Sequence, residues 1–157
     1  MKKAVPGSVI SVVMNGTRPL LVEIQSLIIP TKLVIPRRIA QGLDSKKLEL
    51  LLAVLSRRCG LPLYESDVYV SLMGGISVRN DPSVDLAVCL SLASGYFNKA
   101  VDRKTIVFGE VGLLGEIREV ALQEKRVKEA RRLGYNNFVT SAKYDFLQKA
   151  ISGLKNL

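Results

Sequence analysis

The chain has 157 residues, 48% of them hydrophobic and 24% charged, with neither tryptophan nor histidine. That length predicts one domain, residues 1–157, cored by leucine, valine and isoleucine, and the missing histidine sets aside a Ser-His-Asp triad and a metal site. The formal net charge of +9 is uneven: residues 1–60 hold ten basic and three acidic side chains, residues 61–120 five and eight, and residues 121–157 eight and three.

Basic ends around a mildly acidic middle predict one positive face. Nucleic acid is the first partner to expect for it, and an acidic protein surface the second. No apolar run approaches the roughly 20 residues of a membrane span, and Met1–Gly7 lacks the apolar stretch of a signal peptide. Cys59 and Cys89 stand apart without a CxxC spacing and read as reduced, buried thiols. The expectation is a cytoplasmic protein with no membrane partner.

Ser8 to Met14 alternates with β-branched residues, Asn15-Gly16 offers a hairpin turn, and Pro19 to Ile29 resumes the strand pattern. Pro30 and Pro36 bound a loop over 30–43 in which Leu33-Val34-Ile35 reads as a short edge strand. Asp44 or Ser45 caps a helix through Leu48, Leu51, Leu52, Val54 and Leu55 that Gly60 stops. Asp67 to Met73 is a strand, and residues 74–80 a loop. Asp81 then caps a helix with Pro82 in its first position, running to about Tyr96.

Thr105 to Val111 reads as one buried strand, followed by a tight turn between Gly112 and Gly115. Leu122 to Leu133 is a third helix, Asn137 to Thr140 a short strand, and Tyr144 to Ile151 a last helix. An opening hairpin followed by alternating strands and helices predicts a mixed α/β (α+β) fold. The chain contains no Gly-Lys pair, so a phosphate-binding P-loop is excluded.

The stretch Asp81-Pro82-Ser83-Val84-Asp85, followed by Gly109-Glu110 and then by position 126, resembles the proteolytic core of the Lon family. The resemblance implies a Lon-like fold with a ribosomal-protein-like βαβ core. It puts Ser83 at the nucleophile and Arg126 where the family keeps its catalytic lysine. A guanidinium stays charged in proteins and cannot accept the serine proton, so Ser83 and Arg126 are expected to be vestigial. Lys125 is next door, but neighbouring helical residues point about 100° apart. Asp81 and Asp85 replace the glycines beside the serine and would oppose an oxyanion rather than stabilise it. Across this site, Arg126 is expected to pair with Asp85.

Further elements narrow the resemblance: Gly16-Thr17-Arg18-Pro19-Leu20-Leu21-Val22-Glu23, Pro36-Arg37-Arg38, Gly42-Leu43-Asp44, Gly60-Leu61-Pro62-Leu63 and Phe108-Gly109-Glu110-Val111-Gly112-Leu113. In this order they resemble the carboxy-terminal, Lon-like domain of the bacterial RadA (Sms) family over residues 5–140, with residues 1–4 as linker. The resemblance implies a longer protein with a zinc finger and an ATPase core, forming a hexameric ring that drives branch migration of recombination intermediates on DNA. ATP and zinc would belong to those other parts, leaving this segment without a cofactor or a small-molecule substrate. Arg18, Arg37, Arg38, Lys46 and Arg79 are the expected DNA contacts, with Lys47 beside them; the third helix's basic stripe reads as a wet face. The competing expectations are an active Ser-Lys peptidase using Ser83 and an assembly scaffold that never meets DNA.

Overall fold

The computed structural model describes residues 3–74, 78 and 81–155. Its elements are β1 (Ser8–Asn15), β2 (Arg18–Pro30), β3 (Arg38–Gln41), α1 (Ser45–Cys59), β4 (Ser66–Met73), a 3-10 turn (Pro82–Val84), α2 (Asp85–Phe97), β5 (Thr105–Val107), β6 (Glu110–Val111), β7 (Ile117–Arg118), α3 (Gln123–Arg132), β8 (Asn137–Val139) and α4 (Leu147–Lys155). The fold is mixed α/β. Six strands form one sheet in the order β3-β4-β2-β1-β5-β8, and β6 pairs with β7 separately. In the large sheet β2 alone runs against its neighbours; the β3–β4, β1–β5 and β5–β8 pairs are parallel.

Pleating sorts the side chains to two faces. Val9 and Val13 of β1, Val22 and Ile24 of β2, and Val68, Val70 and Leu72 of β4 join α1, α2 and α4 in the main core. Ile10, Val12, Ile106 and Phe108 point the other way, beneath Ala130 of α3. Among the described residues, that second face is covered near β1, β5 and β8. On β2 and β3, Leu27, Ile29 and Ile39 remain exposed.

Local chemistry sets the ends of α1. Asp44 accepts from the Lys46 amide at 3.3 Å, and Gly60 closes the helix at φ 68°, a left-handed conformation that a glycine adopts without a Cβ clash. Asp81 caps the next turn, with Pro82 in first position. The hairpin forms where expected, but Asn15 stays in the strand opposite Arg18, and Gly16 takes the positive φ of 64°.

Three expectations are corrected. Leu33-Val34-Ile35 is not a strand: Val34 is 99% exposed, and the edge strand is Arg38–Gln41, which finds ladder partners in Val68–Ser71. The strand expected over Thr105–Val111 breaks at Phe108-Gly109, because the Gly109 amide and carbonyl turn away to bond Ser83 and Leu86. The last helix starts at Leu147 rather than Tyr144, since Phe146 forms a bridge with Glu116. No helix among the described residues is long and apolar enough to cross a membrane.

Candidate functional site

Ser83 sits in the 3-10 turn leading into α2, fixed by its own backbone. Its amide donates to Asp81 Oδ1 at 2.9 Å and its carbonyl accepts from the Gly109 amide at 2.9 Å. Its side chain is 0% exposed, and Oγ has no hydrogen-bond partner among the described residues. A Cβ on Gly109 would lie 3.0 Å from Ile117 Cγ2 and 3.4 Å from Leu86 Cδ2, so the approach of β5's continuation to this turn depends on glycine.

Arg126 is 3% exposed, on the inner face of α3. Nη1 donates to the Val12 carbonyl at 2.8 Å and Nε to the Ala121 carbonyl at 2.9 Å. The guanidinium carbon lies 5.9 Å from the centre of the Phe108 ring. Burial pulls the guanidinium below its ordinary value, and the charge of Asp81 opposes that shift. Lys125 points outward and is exposed. The position is thus filled by a side chain committed to backbone carbonyls.

The expected Arg126–Asp85 pair does not form. Asp85, 1% exposed, accepts from Lys47 Nζ at 3.3 Å and from the Val111 amide at 3.2 Å. Burial pushes its carboxyl up to about 6, against the smaller opposing effects of the Val111 amide and Lys47. A single carboxylate therefore ties α1, α2 and β6 together. Beside it, the first turn of α1 and residues 81–88 enclose a cavity of about 360 Å³, with Leu48, Leu51 and Val88 as apolar walls and Asp44, Asp81 and Lys47 as polar ones. Among the described residues, no group of carboxylates or thiols is arranged to hold a metal ion.

The expected DNA contacts are not brought together. Arg18 is exposed at the start of β2, close enough to Glu129 to help hold that carboxyl low, an effect led by the Arg132 hydrogen bond. Arg37 and Arg38 lie at the other end of the sheet, since Arg38 pairs with Val68 and Val68 with Ile28. Ten residues of β2 separate the two ends, roughly 33 Å at about 3.3 Å per residue. Lys46 is exposed at the start of α1, past the opposite end of β3 from Arg38. Arg79 lies outside the described residues.

Arg38, and Lys47 beside these cations, have structural employment. Arg38 Nη2 donates to the Leu63 carbonyl at 2.8 Å and Nη1 to that of Ser66, tying β3 to the approach of β4. Arg37 is exposed and engaged through its backbone: its amide donates to Asp67 Oδ1 at 2.7 Å and its carbonyl accepts from the Val68 amide at 2.9 Å. Lys47 turns inward to Asp85, which residue spacing alone did not reveal. The one available signal was its place on α1 one residue before Leu48, at the edge of the buried stripe.

The geometry defines a mixed α/β domain with basic surface side chains, a buried serine and a buried arginine. No protein-family model matches the chain. Similarity to individual proteins is specific: it is 44% identical over 151 residues to DNA repair protein RadA of Rickettsia bellii, covering 96% of this chain and 34% of the relative. It is 45% identical over 136 residues to the RadA of Bacillus subtilis, covering 87% of this chain and 30% of that one. With the RadA of Haemophilus influenzae it shares 42% identity over 151 residues, 96% of this chain and 32% of the relative. The chain is a homologue of RadA, a DNA repair protein, and spans about a third of the length of these relatives.

Proposed function

We infer that this chain is the non-proteolytic, Lon-like carboxy-terminal domain of a RadA-type DNA repair protein, working in the cytoplasm. It contacts DNA without sequence preference and takes part in assembly of a hexameric ring, while ATP and zinc are handled elsewhere in the longer protein during branch migration. The observation that carries the non-proteolytic reading is the Ser83–Arg126 arrangement. The Ser83 hydroxyl is sealed and unpartnered among the described residues, and Arg126 Nη1 and Nε donate to the carbonyls of Val12 and Ala121. Nucleophilic catalysis needs a base within hydrogen-bond reach of the hydroxyl, and an arginine cannot serve.

Exposed cations support the DNA reading, since phosphate contacts need only reach and charge. The uncovered apolar side chains of β2 and β3, with Leu33, Val34 and Ile35 beyond them, support assembly. The test of the non-proteolytic part is exposure to a serine-reactive fluorophosphonate, alongside casein as substrate. The expected outcome is no adduct and no cleavage; an adduct on Ser83 would favour the peptidase reading.

A further inference from the structure

Away from the vestigial site and the sheet ends, three cations with no ion pair among the described residues meet where α3 faces the connection from β8 to α4. A groove of about 690 Å³ runs there, floored by Val127 and Phe138. Lys128, Arg131 and Lys143 line it and are exposed, and Glu119 and Glu124 line it as well. Lys128 and Arg131 are three residues apart on one helix, which brings them to the same face. The ion pairs among the described residues join Lys47, Arg103, Arg118 and Arg132 to carboxylates, and none involves these three cations.

The groove has one further property. The Arg131 guanidinium lies 5.0 Å from the centre of the Phe138 ring, and Lys143 Nζ lies 5.7 Å from that of Tyr144. Aromatic contact steadies a cation without neutralising it and leaves its N–H groups available to an anion. Arg38 and Arg126 are by contrast spent on backbone carbonyls and Arg132 on Glu129. The three cations outnumber the two carboxylates of the lining, Glu119 and Glu124, and none is ion-paired to them, so the groove keeps a positive excess that an anion can meet.

We propose that this groove is a nucleic-acid contact, in which Lys128, Arg131 and Lys143 hold the phosphates of one strand. The proposal rests on the DNA-binding reading above and adds to it a surface different from Arg18, Arg37, Arg38, Lys46 and Arg79. An elongated polyanion suits the groove, because its cations come from two elements, Lys128 and Arg131 from α3 and Lys143 from the connection between β8 and α4.

The test is fluorescence anisotropy of labelled single- and double-stranded oligonucleotides, between about 50 and 200 mM salt. Three proteins are compared with the unmodified chain, each checked for folding by circular dichroism. They are Lys128→Gln/Arg131→Gln/Lys143→Gln; Lys128→Gln/Lys143→Gln, which keeps the Arg131–Phe138 contact should the triple variant misfold; and Arg18→Gln/Arg37→Gln/Lys46→Gln. Loss of three phosphate contacts should weaken binding by ~10²-fold at about 100 mM salt and flatten the log–log salt slope by about 2 to 3. The double variant, which removes two of the three contacts, should show about two-thirds of that slope change. Groove variants that bind like the unmodified chain, while the Arg18/Arg37/Lys46 variant weakens, would overturn the groove and leave the DNA reading standing. No binding by the unmodified chain at the lowest salt would overturn both and turn attention to an acidic protein surface.

Discussion

Arg126 reaches across 114 positions of sequence to donate to the carbonyl of Val12 at 2.8 Å. The parallel pairing of β1 with β5 is registered at Ile10 and Ile106, so Val12, still paired with Leu21 of β2 on one side, lies beyond the β5 ladder on the other. A buried carbonyl needs a donor from somewhere, and the guanidinium supplies it while its Nε holds Ala121. In this fold the arginine is a strut between α3 and the sheet.

Arg126→Ala should therefore destabilise the protein by about 1–3 kcal/mol, the range for leaving a buried hydrogen-bonding group unmet. Thermal unfolding followed by circular dichroism should show a drop of several degrees. Arg126→Lys should lose less, because one ammonium can keep one of the two carbonyls. An unchanged melting temperature in Arg126→Ala would remove the strut from the account.

Asp85 gives a pH dependence whose sign follows from its environment. Its folded carboxyl titrates near 6, above the ordinary value of 3.8, because burial disfavours the charged form. The native state thus holds this proton more tightly than the unfolded chain does. The stability it contributes is full below about pH 4 and is lost as pH rises through 6. About two pH units correspond to a few kcal/mol. Asp85→Asn should flatten that part of the profile and gain most in melting temperature above pH 7, since the amide oxygen can still accept from Val111. Lys47→Met should steepen it. A profile of Asp85→Asn parallel to that of the unmodified protein between pH 4.5 and 8 would contradict this origin.

Much of the frame was legible because its signals are local. The hairpin follows from alternation around Asn15-Gly16, α1 from Asp44 and Gly60, and the turn into α2 from Asp81 and Pro82. What could not be read depends on distant partners. Thr105–Val111 has the composition of one strand, yet Gly109 leaves the sheet for Ser83 and Leu86. Leu33-Val34-Ile35 has strand-forming residues but no ladder to join, whereas the less apolar Arg38–Gln41 lies beside β4. At the site, the protease-like motif pointed to the turn of Ser83 and to Arg126, but the partner each charge takes depends on side-chain reach. Asp85 therefore took Lys47, and Arg126 took backbone.

Gly109 marks the closest packing at that turn. A methyl group added there would sit 3.0 Å from Ile117 Cγ2 and 3.4 Å from Leu86 Cδ2. Gly109→Ala should cost about 1 kcal/mol and Gly109→Val about 1–3 kcal/mol more, as overpacking does. Urea unfolding measures both. A neutral Gly109→Val would show that β7 and α2 yield more easily than their burial suggests.

The uncovered face of β2 and β3 predicts a response in assembly. Leu27 is 58% exposed and Ile39 48%, on the side of the sheet that α3 leaves open. Leu27→Ser/Ile39→Ser should shift sedimentation-velocity profiles toward a smaller species at the same concentration, with little change in melting temperature. Identical profiles would move the assembly surface elsewhere.

The most direct measurement is the salt dependence of DNA binding by the unmodified chain, read by anisotropy with a double-stranded oligonucleotide of arbitrary sequence. The expected result is affinity that falls linearly with salt on a log–log plot, with a slope of about −3 or steeper, and that is the same for two unrelated sequences. Absence of binding at the lowest salt, or binding that ignores salt, would contradict a DNA-contacting role and leave the positive surface to protein partners.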